Sequence, residues 1–233
     1  PLRRHLKRRD RGGNVFLHLY CRADPRDVAG AAVQNLPASF VVKMSHPARH
    51  EQNFLIGHQS AWALLRGLME RNRVPAAILL VGPPGVGKRT IAVLCAQKLL
   101  AVKTDTGLQA HPDLLRLEPL EDAAMRDLLV RLLHHVHQRP VRADVRVILI
   151  EDVDQLSAAA AALLLKAIED APAYAKFFLT ATVLDRVAPT VRSRALVRPL
   201  PPAPEDMLAG ELRARGFSAA DELARLSGGH PGL

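Results

Sequence analysis

One stretch constrains this chain more than any other: Val81-Gly82-Pro83-Pro84-Gly85-Val86-Gly87-Lys88-Arg89-Thr90. It follows an apolar run, Ala76 to Val81, that reads as a buried strand, and it opens a periodic segment, Ile91 to Ala101, that reads as a helix. Strand, glycine-rich turn and helix in that order, with this spacing and lysine, point to a phosphate-binding loop rather than to a glycine turn that merely joins strand to helix. The glycines let the backbone curl so that several N–H groups converge on a phosphate chain. The helix N-terminus adds partial positive charge, and Lys88 adds a full one. Gly82, Pro83, Pro84, Gly85, Val86, Gly87, Lys88, Arg89 and Thr90 are therefore the expected nucleotide-binding residues.

One position departs from the pattern. The residue after the loop lysine is normally Ser or Thr, whose hydroxyl ligates Mg²⁺. Here it is Arg89, and the threonine comes one place later. One step along a helix turns a side chain by about 100°, so Thr90 does not replace the ligand directly. Nucleotide binding is expected; efficient hydrolysis by this chain alone is not.

Downstream, strands and helices alternate. Asn53 to Arg73 has helical periodicity, with Ser60 or His58 as its start. Lys103 to His111 reads as a loop, and Leu114 to Glu118 as a second strand. Glu121 to Gln138 reads as an amphipathic helix. Its His134 and His137 share a face, but no carboxylate or cysteine nearby completes a ligand set, so a solvated helix end is the simpler reading. Arg146 to Asp152 is a third strand, apolar and then acidic. Ligands of parallel sheets collect at the carboxyl ends of strands. Glu151 and Asp152 are therefore candidates to hold Mg²⁺, with Asp152 also placed to orient a water. The competing reading is an acidic cap for the next helix, a job that Asp154 could do alone. Leu156 to Ile168 is an alanine-rich helix and Phe177 to Thr182 a fourth strand. Pro189 to Arg194 is a short helix and Ala195 to Leu200 a fifth strand. A proline-rich linker then leads to two short helices, Glu205 to Arg215 and Ala219 to Leu226.

Composition narrows the function classes. Aromatic residues make up only 4% of the chain, which argues against stacking platforms for single-stranded nucleic acid. Cys21 and Cys95 form no metal-type pair, so a reducing cytosol is the expected compartment, and no run is long enough for a membrane span. The net charge of +9 is uneven: residues 1–43 hold nine basic residues against three acidic ones. That segment has no sustained period. It reads as a basic arm that touches nucleic acid, as a poorly packed extension, or, the favoured reading, as sequence outside the natural protein, with Met44 the true start.

The ordered series of motifs resembles the AAA+ ATPases, and within them the bacterial clamp-loader subunits of DNA polymerase III. Ile56-Gly57-His58-Gln59 is similar to the family's box before its first helix, Gly82 to Lys88 to its Walker A, and Ile150 to Asp154 to its Walker B. His111-Pro112-Asp113-Leu114 matches the approach to its second strand. Ala162 to Lys166 with Glu169-Asp170-Ala171-Pro172 resembles its "NALLKxLEEPP" helix. Phe178 to Thr182 is similar to its sensor 1 strand, and Thr190 to Arg194 to its "SRC" region. The resemblance implies an α/β AAA+ domain with a five-stranded parallel sheet over residues 44–202 and a helical lid from 203 to 233. It implies ATP and Mg²⁺ as cofactors, Thr182 as sensor 1, and Arg194 as an arginine finger acting in a neighbouring subunit.

Departures from the pattern separate this chain from the gamma/tau motor subunits. Arg89 stands where they carry Thr, and Glu151-Asp152 reverses their Asp-Glu order. Gly229-His230-Pro231-Gly232 replaces their sensor 2 arginine region, and only Cys95 lies where their zinc module needs four cysteines, so no zinc is expected. Ala162 replaces the family's Asn, and Ala195 its Cys. The resemblance therefore implies a stator subunit, assembled with delta and gamma/tau subunits in the loader that places a sliding clamp on primed DNA. It also implies a further, ring-forming domain beyond this chain. A working motor ATPase, a nucleotide-independent scaffold and a direct nucleic-acid binder are the other classes considered.

Overall fold

The computed structural model describes residues 55–118 and 121–232, together with the backbone of two short strands nearer the N-terminus. Those strands, β1 (Arg8–Arg9) and β2 (Val15–Phe16), pair antiparallel. The expectations for the rest of residues 1–43, for Met44 and for Cys21 lie outside the described residues. Residues 1–45 and 46–233 form separate compact units.

The second unit is built on a five-stranded, all-parallel sheet in the order β4-β5-β6-β3-β7. Its strands are β3 (Ala77–Val81), β4 (Leu114–Leu117), β5 (Arg146–Ile150), β6 (Ala175–Ala181) and β7 (Leu196–Pro199). The central runs AILLV and RVILI are buried at every position. Parallel strands covered on both faces read as continuous apolar runs, because helices pack on each side. The two outermost strands are less buried, and Pro199, which has no N–H to donate, falls at the end of one of them.

Strand β3 shows how the faces divide. Ala77, Leu79 and Val81 join a core formed with α4 (Asp122–His135), α5 (Ala158–Glu169) and α6 (Pro189–Arg194). Ile78 and Leu80 join the opposite core, against α1 (Gln59–Glu70), α2 (Lys88–Leu99) and α3 (Asp105–Gln109). Phe177 and Phe178 of β6 split the same way. A third cluster joins Ile56 and Ala203 to α7 (Glu205–Ala214) and α8 (Ala220–Ser227). Cys95 is fully buried in the second core, and burial pushes its thiol pKa far up, so it packs as a small hydrophobe.

Two local expectations change. The span Lys103 to His111 is not all loop: α3 forms within it, and the Thr104 hydroxyl accepts the Gly107 N–H at 3.1 Å. A five-residue helix is too short for periodicity to reveal, and the cap is its readable signal. The second is the competing reading in which Asp154 caps the next helix: α5 is capped by Ser157, whose hydroxyl accepts the Ala160 N–H at 3.2 Å. Ser157→Ala is expected to lower stability by about 1 kcal/mol, measured by urea unfolding at constant m-value.

Candidate nucleotide-binding site

The chain leaves β3, crosses to β4 at the far edge, returns through β5 and β6, and then places β7 on the other side of β3. The strand order reverses around β3, and in open α/β sheets the crevice at the carboxyl ends of such strands is where ligands bind. The phosphate loop, the ends of β4 and β5, and the end of β6 all meet there.

Backbone geometry makes the loop. Gly87 precedes α2 with φ of +105°, a conformation that side chains disfavour. Gly82 lies so close to Leu200 that an added Cβ would meet its carbonyl oxygen at 2.3 Å. The Gly82 N–H bonds to Ala181 O at 3.1 Å, tying the loop to β6. Lys88 folds over the loop and donates to Gly82 O at 2.7 Å and Pro83 O at 3.0 Å. Burial lowers the pKa of this ammonium, while Asp152 and Asp154 act against that shift. The hydrogen bonds of this cation, only 9% exposed, go to two carbonyl oxygens, and an anionic phosphate is a partner this arrangement suits.

Two contacts brace the loop that sequence reasoning missed. His58 is the N-cap residue of α1, one of the two expected starts, but its buried side chain makes no capping bond; its Nε2 donates to Val86 O at 2.9 Å, and burial lowers its pKa, favouring the neutral ring. From the segment after α8, Gly232 N–H donates to Gly85 O at 2.8 Å. A glycine pair at such spacing gives no periodic signal, and a lone His before a helix reads first as a cap.

The acidic residues separate into two groups. Asp152 has left-handed backbone geometry, and its N–H is fixed by the buried Thr180 hydroxyl at 3.0 Å. Burial raises its carboxyl pKa, Lys88 opposes the rise, and Asp154 and Glu151 add to it. Asp154 Oδ2 accepts the N–H groups of Thr182 and Val183, at 3.1 and 3.0 Å, so it clamps the end of β6 to the end of β5. Thr182 thus meets the site through its backbone, and Thr180 is the β6 hydroxyl that touches Asp152.

Glu151 belongs to an ion-pair network instead. Arg116 reaches Glu151 Oε1 with Nε at 3.1 Å and Nη2 at 2.7 Å. Arg89 Nε lies 3.5 Å from the same oxygen, and Arg89 Nη2 lies 3.3 Å from Glu118 Oε1. The register Leu117↔Ile150 sets Glu118 and Glu151 side by side just past the strand ends. The residues fit a nucleotide's phosphates. They do not fit the usual P-loop Mg²⁺ site, because position 89 has no hydroxyl and Glu151 is already engaged by two guanidiniums. Among the described residues no group of three or more His, Cys, Asp or Glu is arranged to hold a metal, His134 and His137 included.

Arg194 is apart from this cluster, at the end of α6. Its side chain is 55% exposed and pairs with Glu169 of α5 at 3.0 Å.

Known proteins match this arrangement. A family model described as DNA polymerase III, delta subunit, matches residues 57–204. The chain belongs to that family. It is 32% identical to the DNA polymerase III subunit delta' of Pseudomonas aeruginosa over 74% of this chain and 58% of the relative. It is 30% identical to subunit tau of Salmonella typhimurium over 61% of this chain and 24% of that protein. The chain therefore spans little more than half of the first relative and a quarter of the second. Among solved structures, a RuvB chain of Thermotoga maritima superposes with a TM-score of 0.53 at 22% identity, covering 75% of this chain and 57% of that one. That likeness supports the fold, an α/β domain on a parallel sheet. No helix among the described residues is long and apolar enough to cross a membrane.

Proposed function

We propose that this chain is the nucleotide-binding part of a delta-prime-type clamp-loader subunit, which holds ATP but turns it over poorly and serves a neighbouring subunit's chemistry. The observation that carries the reading is Arg89: a guanidinium, paired with Glu151 at 3.5 Å, takes the place of the hydroxyl that motor P-loops give to Mg²⁺. Lys88 and the loop N–H groups bind and orient the phosphates. Thr180 fixes the backbone of Asp152 beside them, and Asp152 is the carboxylate left for a cation or a water. Thr182 serves as sensor 1 in this reading, with its backbone N–H held by Asp154.

Arg194 is the group offered outward. It is exposed at the end of a short helix, and the bond it would give up, an exposed ion pair with Glu169, is worth little. A guanidinium delivered in trans stabilises charge on a transferring phosphoryl group without any hydrolysis in its own chain. In this reading the subunit assembles with delta and gamma/tau subunits in the cytoplasm, and the assembly opens a sliding clamp on primer-template DNA.

The test is Arg194→Ala in the reconstituted complex. Fold and nucleotide binding by the variant are expected to be unchanged, while the ATP site it faces slows by a factor on the order of 10³. Complex turnover equal to wild type would remove the finger assignment. Turnover by this chain alone, abolished by Lys88→Ala, would move it to the motor class.

A further inference from the structure

In P-loop sites, Mg²⁺ is held between the hydroxyl that follows the lysine and a carboxylate at the end of a neighbouring strand. In this chain a salt bridge joins those two places: Arg89 from the first turn of α2 and Glu151 from the end of β5. A guanidinium has no lone pair to give a metal; it can only donate. Glu151 Oε1 is already taken by both Arg116 and Arg89, so an Mg²⁺ ion bound at this carboxylate would lie beside two fixed positive charges. The phosphates of a nucleotide face no such barrier. Arg89 is 58% exposed, and its Nη2 rests on Glu118, itself 59% exposed. That partner can be exchanged for a phosphate oxygen at little cost, while Arg116 keeps Glu151 neutralised. A planar, permanently charged fork suits a phosphate through two N–H donors at once.

We propose that this phosphate loop binds nucleoside di- and triphosphates without Mg²⁺, with the Arg89 guanidinium supplying the positive charge that the metal supplies elsewhere. The inference rests on the nucleotide-binding reading and extends it. It assigns Arg89 as a binding residue that takes over the metal's electrostatic role, not simply as a missing ligand.

The experiment is equilibrium binding of ADP and ATP to the full chain by titration calorimetry, once in excess Mg²⁺ and once in excess EDTA. Wild type and Arg89→Thr, which restores the hydroxyl, are compared, with thermal melts confirming that both are folded. The wild-type Kd is expected to differ by less than about 3-fold between the two media, and Arg89→Thr to lose about 10-fold or more in EDTA. A wild-type affinity that falls about 10-fold or more in EDTA overturns the inference and leaves the nucleotide site standing. Metal-independent binding that is unchanged in Arg89→Thr removes the role given to Arg89. No binding by wild type in either medium removes the nucleotide site, and this inference with it.

Discussion

Lys88→Ala is expected to weaken nucleotide binding by about 100-fold or more, because a charge-assisted contact to a phosphate in a partly dehydrated loop is worth roughly 3 kcal/mol. Nucleotide titration of the purified variant measures it. Lys88 is 9% exposed and is held by Gly82 O and Pro83 O. The ammonium is thus already placed over the loop before a ligand arrives, and little side-chain freedom is lost on binding. Removing it leaves the loop's N–H groups and Arg89 as the donors. Stability should change far less than affinity, since the lost partners are two carbonyl oxygens at the rim of the site. A variant that keeps wild-type affinity would show that the loop does not hold phosphate.

Asp113→Ala is expected to lower stability by about 3 kcal/mol, at the far end of the sheet from the nucleotide site. The Asp113 side chain is fully buried just before β4 and accepts three backbone N–H groups, from Val141 at 2.6 Å, Arg142 at 2.7 Å and Ala143 at 3.0 Å. Alanine would orphan those donors and leave Arg146, 3.9 Å away and itself buried, without its carboxylate. Burial by itself would raise this carboxyl pKa, yet the three N–H donors and His111 outweigh it and hold the group below its ordinary value of 3.8. The unfolded chain therefore binds this proton more tightly than the folded one. The carboxylate's contribution is complete above the ordinary value and is lost as pH falls through the lowered one. Urea unfolding at neutral pH should show the loss in Asp113→Ala, and its stability should vary less with pH in the acid range than that of wild type. An unchanged midpoint would mean that the 139–144 segment is held by other contacts.

Much of the site could be read before any coordinates. The loop from Gly82 to Lys88 is a local object: its spacing, its preceding apolar strand and its following helix lie within one stretch of chain. Position 89 was legible for the same reason. A hydroxyl is either present after the lysine or it is not. The short helix at Arg194 and the five strands also followed from local pattern, since a continuous apolar run bounded by polar ends leaves few alternatives. What stayed hidden depended on partners far along the chain. Asp154 was legible only as a possible cap, the competing reading for the acidic residues there, but it clamps residues 28 and 29 positions away. His58 is bonded to a carbonyl 28 positions away.

The sequence by itself determined the order of elements, the phosphate loop and the absence of a magnesium-ligating hydroxyl, because periodicity and short-range spacing fix these within a few turns of chain. Only the tertiary structure decided what the acidic residues do. The parallel register of β4 on β5 sets Glu118 beside Glu151. Arg116 of β4 and Arg89 of α2 then close on that pair. Asp152 is left facing Lys88, with Thr180 of the next strand fixing its backbone. Glu151 and Asp152 both lie just past the end of β5, and the left-handed backbone at Asp152 turns the chain between them. Whether Glu151 or Asp152 meets the nucleotide is therefore set by which face each one takes and by what is packed there.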